Sequence, residues 1–372
     1  MPLLGAKGRH HNLTLAGGGT INGRGERWWG AGSYAQGNRR PSLVSLGGVT
    51  GLRVQNLTLR AGACFQLLVL ESSNVVIQGL TIEAGCGFKQ APNTDGIHLI
   101  SVQGVLVRDA NISNGDDCVV VSGDSRDVHV EGVRCRCSAG TAVIMPWASA
   151  TGQNNITNVT FADMESVNAS HCAGIKSESQ YSGHVNDVLF SNIACTLVHW
   201  FAFYVNPFNQ SSALRSGNGA APAKMLGNFS ADSITWRNVS AALVGDRNPG
   251  HFWCAPGQCT NLVFDRVRVT GLDKAYQCND GVDGRSTAST PRPCFAPKTA
   301  ASGGAIAIKH DDVPGDQPPF PWVVDTTRDL LDDSRVRLAT VVGPSRPSPQ
   351  HPLRSALLYA SRTAQASVIF QQ

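Results

Sequence analysis

The stretch LRVQNLTL at residues 52–59 returns as VVIQGLTI at 75–82, VLVRDANI at 105–112 and VHVEGVRC at 128–135. Each copy holds two short alternating runs bent at an Asn, Gly or Asp. The pattern recurs in NITNVTF at 155–161, LFSNIAC at 189–195, ITWRNVS at 234–240 and VFDRVRV at 263–269. Aligning the copies on Val54, Ile77, Val107, Val130, Ile156, Phe190, Trp236 and Phe264 gives steps of 23, 30, 23, 26, 34, 46 and 28 residues. That spacing is the period of a solenoid coil. Further strand-like runs lie between copies, at 96–101 and 118–122, and no coil carries a helical periodicity. The expected fold is all-β: a single-stranded parallel β-helix that stacks Val, Ile and Leu inside and pairs every strand except those at its ends. A β-sandwich would need hairpin turns at shorter spacing. A long solenoid groove suits an extended polymer.

Composition narrows the function. With 39 Gly, 19 Pro and 16% charged residues among 372, the chain is strand-rich rather than helical, and 42% hydrophobic content excludes wholesale disorder. No run of apolar residues is long enough for a membrane helix. A net charge of +4 is too small and scattered for a nucleic-acid surface. Eleven Cys occur without a repeated CxxC zinc signature, and Cys254/Cys259 and Cys278/Cys294 are spaced for local loops. The odd count leaves one thiol over. Nine Asn-x-Ser/Thr sequons, at Asn12, Asn56, Asn111, Asn155, Asn158, Asn168, Asn209, Asn228 and Asn238, agree with an oxidising, secreted setting, although Asn in turns and Thr in strands produce the same triplets. The opening MPLLGAKGRH has no signal-peptide core, which reads as a missing natural N-terminus.

Stacked coils convert spacing into geometry, because residues one period apart sit about 4.8 Å apart. Residues 93–97 (NTDGI), 115–119 (GDDCV) and 139–143 (AGTAV) can be laid in register, which ladders Asp95, Asp117 and Thr141, with Asp116 beside them at the Gly115 turn. Three adjacent carboxylates repel, so one should hold a proton or meet a cation. That is the arrangement of glycoside hydrolysis, an acid for the leaving oxygen and a base for water. A calcium site or solvated turn acids would show the same spacing.

These residues resemble glycoside hydrolase family 28, the polygalacturonases and rhamnogalacturonan hydrolases, which are right-handed parallel β-helices. GTINGRG at 19–25 with Trp28 and Trp29 is similar to the family's early coil. Asn93-Thr94-Asp95-Gly96 and Gly115-Asp116-Asp117-Cys118 are similar to its two acidic motifs, in order and spacing. The resemblance covers roughly residues 12–270. It implies inverting hydrolysis of a pectic polysaccharide, with Asp116 as general acid, Asp95 and Asp117 holding the attacking water, and Asn93, Thr141 and Lys176 in contact with substrate. No cofactor or metal is expected, nor a nucleic-acid or membrane partner, and the enzyme is expected to act as a secreted monomer at the cell wall.

Three positions depart from the family pattern. Thr141 stands where the polygalacturonases have the His of Gly-His-Gly, Gly174 stands where they have the Arg of Arg-Ile-Lys, and Phe208 stands loosely where they have a Tyr. Lys176 is then the cation left to grip a uronate or to balance the three acids, without bidentate Arg geometry. His98, His171 and His184 are candidate replacement donors, each read first as structural. A binding solenoid that has lost turnover is the alternative that Thr141 and Gly174 raise; a β-eliminating lyase lacks support. Cys118 is expected to pair with Cys137, or with Cys135. The repeat stops near 272, which divides the chain into a β-helix at 1–272, a Cys-containing closing region at 273–309, and a poorly ordered or loosely docked tail at 310–372.

Overall fold

The computed structural model describes residues 2–30, 40–87, 89–146, 154–177, 181–206, 228–245, 248–271, 274–279, 281–295, 356–359 and 367–370. Its strands up to Val282–Thr287 form one continuous parallel sheet wound as a right-handed β-helix, with three short strands per coil. The side that carries the acids is built from residues 44–47 and from Leu67–Leu70, Ile97–Ile100, Val119–Ser122, Gly140–Met145, His171–Lys176, Phe201–Asn206 and Gly250–Phe252, each paired to the next.

The repeat phrase lies on a second side of the solenoid. Val54, Ile77, Val107, Val130, Phe161, Phe190, Trp236 and Phe264 stack there in one buried column. Phe161, not Ile156, takes the fifth place. The strand Ile156–Val167 begins five residues before the column, and Ile156 pairs with Ser125. Either apolar residue satisfies the alternating pattern, so only the pairing selects one. The affected steps become 31 and 29. The column changes from aliphatic to aromatic along the solenoid: Phe161 and Phe190 stack with centroids 5.5 Å apart, Phe190 and Trp236 at 5.4 Å.

Two residues after each column member the chain turns through the left-handed region, at Asn56, Gly79, Asp109, Gly132, Asp163, Asn192, Asn238 and Arg266. Asn, Asp and Gly tolerate that conformation best, which is why they punctuate the repeat. The side chains then form a ladder: Asn192 donates to Asp163 at 3.0 Å, Asn238 to Asn192 at 3.2 Å, and Arg266 to Asn238 at 2.6 Å. Sequon residues Asn12, Asn56, Asn158, Asn168 and Asn238 all adopt positive φ, so turn chemistry accounts for their occurrence. At Gly79 (φ 63°) an added Cβ would lie 2.3 Å from Asn56 Oδ1. Gly79→Ala is expected to cost about 1–2 kcal/mol, read as a lower urea midpoint at unchanged m-value.

Five disulfides join Cys86–Cys137, Cys118–Cys135, Cys172–Cys195, Cys254–Cys259 and Cys278–Cys294, and Cys64 is free and buried. Cys118 therefore pairs with Cys135 rather than Cys137. Both Cys118 and Cys135 belong to the hydrophobic core, whereas Cys137 sits in a left-handed turn facing Cys86. The parallel pairing continues past residue 272: Gln277–Cys278 pairs with Gly250–Phe252 and Val282–Thr287 with Cys259–Asp265. This coil reads VDGRST, too polar to register as another copy of the phrase. Phe295 packs edge-on against Phe252 and Phe264 and covers the end of the core. In the tail, Ala356–Tyr359 and Ser367–Phe370 form an antiparallel pair; the rest of 310–372 lies outside the described residues.

Candidate active site

Asp95 lies two residues before the strand Ile97–Ile100, and Asp116 and Asp117 lie three and two residues before Val119–Ser122. Ile97 pairs with Val119, and the Gly96 N–H donates to the Asp117 carbonyl at 2.9 Å, which sets Asp95 beside Asp117 on adjacent coils. The turn is held from within. Asn114 Nδ2 donates to the carbonyls of Thr94 (3.0 Å), Asp116 (2.9 Å) and Asp117 (2.8 Å), while its Oδ1 accepts from Ser138 Oγ at 2.6 Å. Gly115 is required here because a Cβ would meet the Ala91 carbonyl at 2.2 Å. Fully bonded buried networks of this kind hold one geometry.

All three carboxyls are buried, at 4%, 6% and 2% exposure for Asp95, Asp116 and Asp117. Asp116 accepts from the backbone N–H of Asn93 at 2.7 Å and of Asp117 at 2.9 Å. Burial, then the charges of Asp95 and Asp117, nevertheless holds the Asp116 carboxyl well above the ordinary range. Burial, then Asp117, does the same to Asp95. Asp117 carries the cation: Lys176 Nζ lies 2.5 Å from its Oδ2. Burial alone would pull the Lys176 ammonium down, but Asp117, with Tyr204 and Asp116, outweighs it and holds the ammonium above its usual value.

Thr141 is not part of the ladder. Val119 pairs with Ala142, which puts Gly140 opposite Asp117, and a one-residue slip sends a side chain to the other face of a strand. Thr141 is instead aligned with core Cys172 and donates to the His171 carbonyl at 3.3 Å. Gly140 pairs with His171, so His171 is the next side chain in the acid column. It is packed among Trp200, Phe201 and Tyr204, with Nδ1 unpartnered among the described residues, and burial, then Lys176, pushes it down to about 3. His184 lies apart, bonded to Ser230.

Gly174 faces Tyr204 across the sheet. A Cβ at Gly174 would lie 2.4 Å from the Tyr204 carbonyl and 2.7 Å from its ring, so Tyr204 fills the space of any larger residue there. The Tyr204 hydroxyl is buried beside Lys176 without a partner among the described residues, and burial pushes it up. Tyr204 is thus the aromatic residue over Gly174; Phe208, expected at the family's Tyr position, lies outside the described residues. Asn93 is turned toward Asp116 and receives Arg40 Nη2 on its Oδ1 at 3.2 Å; Arg40 also donates to the Pro92 carbonyl at 2.7 Å. Arg40 and Ser138 carry no local signal in the sequence because each acts through a contact 24 to 53 residues away, whereas Asn114 adjoins the Gly115-Asp116-Asp117 motif and holds its carbonyls two and three residues on. Of the two tryptophans, Trp29 is buried and donates to the Gly62 carbonyl, and Trp28 is 41% exposed.

The whole solenoid matches known proteins. The model of the glycosyl hydrolases family 28 matches residues 6–290. A polygalacturonase of Cochliobolus carbonum is 24% identical over 77% of this chain and 76% of its own length, and a probable endopolygalacturonase I of Aspergillus terreus is 22% identical over 75% and 73%. Among solved structures, an exopolygalacturonase of Thermotoga maritima superposes with a TM-score of 0.63 at 17% identity, covering 78% of this chain and 71% of that one. Endopolygalacturonase I of Stereum purpureum, complexed with two galacturonates, superposes with a TM-score of 0.61 at 17% identity, covering 77% and 82%. A match running from the first coil to the last, over a buried acid cluster at its centre, makes this chain a glycoside hydrolase that belongs to family 28.

Proposed function

We propose that this glycoside hydrolase cleaves the backbone of a pectic polysaccharide, of polygalacturonan or rhamnogalacturonan type, with inversion at the anomeric carbon. The observation that carries the reading is the convergence of three buried carboxyls on one ammonium. Among the described residues one cation, Lys176, acts on three acids in a site of low polarity, too few to neutralise them, so a proton stays on the cluster. Asp116, raised by burial and both neighbours, is the group to keep it. It donates that proton to the glycosidic oxygen as the bond to carbon breaks. Water held by Asp95 and Asp117 attacks the opposite face of the sugar and yields its proton to that pair. Solvent exchange then returns the proton to Asp116.

The pectic class is supported by the relatives named as polygalacturonases. Lys176 bound to Asp117, and Tyr204 in the space over Gly174, support a subsite that does not demand a uronate. The disulfides and the fungal relatives support an extracellular enzyme acting on wall polymer. Binding without turnover, which Thr141 and Gly174 raise, is not favoured: Thr141 faces the core, and the space at Gly174 is filled by Tyr204. Reducing-sugar release from polygalacturonan and from rhamnogalacturonan is the test, with proton NMR of the first product. Release with inverted anomeric configuration is expected; retention, or no release from any pectic polymer, overturns the reading.

A further inference from the structure

His98 is buried at 4% exposure on the acid side of the solenoid, one strand position beyond Ile97. Its Nδ1 lies 2.9 Å from Asp95 Oδ2 and its Nε2 lies 3.2 Å from Ser122 Oγ, on the next coil. Ile100 pairs with Ser122, so the backbone register itself holds the serine in reach. Phe65 covers the ring with centroids 4.9 Å apart. The imidazole is therefore bonded at both nitrogens and has no freedom to swing. We infer that His98 is a positioning residue for Asp95, donating from Nδ1 to Oδ2 so that the remaining oxygen is presented to the attacking water. This inference rests on the hydrolytic reading above.

The tautomer follows from the network. Burial pushes His98 down to about 4, with Asp117 acting upward and Lys176 downward, so the ring is neutral above that range. A neutral ring has one N–H. Ser122 Oγ has one proton and two acceptors in reach, Nε2 at 3.2 Å and the Leu99 carbonyl at 3.3 Å; with Asp95 ionised, Nδ1 must be the donor to its Oδ2, and Nε2 then takes the serine proton. The other ionisable groups around Asp95 are Asp117, Asp116 and Lys176 on the following coils, and the Cys64 thiol, which burial, then Asp95, pushes up to about 12, with Arg40 beside it. None of these donates to Asp95 Oδ2 as His98 does. A donor to the charged form favours that form, so His98 opposes the burial and the Asp117 charge that raise Asp95.

The test has a readout independent of turnover. Carbon-13 NMR of aspartate carboxyls in the full chain without substrate, with Asp95 assigned by Asp95→Asn, gives its titration midpoint. His98→Ala is expected to move that midpoint up by about one unit, and His98→Gln, which keeps an N–H, to restore part of it. The acid limb of kcat/KM should rise by the same amount, with KM little changed. A merely structural histidine would lower activity at every pH and leave both midpoints in place. Should His98→Ala fail to fold, Ser122→Ala is expected to give a smaller shift in the same direction. An unmoved Asp95 midpoint in whichever of these variants folds overturns the inference. A parent inactive on every pectic polymer overturns the hydrolytic reading instead, while the carboxyl titration still decides the His98–Asp95 coupling.

Discussion

Asp116→Asn is expected to lower kcat on the pectic substrate by about 10²–10⁴-fold, the usual loss when a general acid is removed. The amide has nearly the shape of the acid and no proton to deliver to the leaving oxygen. The fold is expected to survive. The carboxyl now accepts two backbone N–H groups, from Asn93 and Asp117, and the amide leaves one of them facing its NH₂. Loss of repulsion from Asp95 and Asp117 offsets that. The sign in pH is definite. Asp116 is held above its ordinary range, so this group destabilises the fold above the unfolded carboxyl pKa of about 3.9, and the effect disappears below it. In the parent the protonated form is the active one, so activity falls on the basic side as Asp116 ionises. Asp116→Asn should lack that limb. Reducing-sugar assays across pH, with a thermal melt as control, measure both; undiminished release would remove Asp116 from the acid's role.

Lys176→Ala is expected to cost about 3–5 kcal/mol of stability near neutral pH, because it strands Asp117 as a buried charge without its partner. Among the described residues Asp117 Oδ1 has no hydrogen-bond partner that could take over. Lys176 is held above its ordinary value, so its stabilisation is fully present below the unfolded pKa of about 10.4 and is lost only above it. The deficit should shrink in acid as the carboxyl cluster takes up protons. Lys176 also holds both Asp95 and Asp116 down, so its loss raises them further and moves the acid limb of the rate profile to higher pH. With the ammonium engaged by Asp117, KM and its salt dependence are expected to change little. Denaturant melts at several pH values and a pH–rate series check this. A strong rise in KM with an unmoved pH profile would place Lys176 on the substrate instead.

Much of this enzyme is legible along the chain. The phrase from Leu52 to Leu59 and its copies carry the coil, because parallel stacking needs the same apolar alternation and the same left-handed turn at each step. Asp95, Asp116 and Asp117 stand out because their motifs recur one coil apart at a glycine turn. Other features depend on register, which the sequence leaves open within a residue or a few. Thr141 and Gly140 both fit the ladder on paper, and Ile156 and Phe161 both fit the phrase. Only the backbone pairing sends Thr141 into the core and brings Phe161 into the column. Partner choice depends on distance in space rather than along the chain. Cys118 meets Cys135, His98 meets both Asp95 and Ser122, Tyr204 lies over Gly174, and Lys176 reaches back 59 residues to Asp117. A local pattern specifies an element wherever the element's own periodicity holds it. The charge state of a buried cluster is set by what closes around it, and that is decided only when the coils stack.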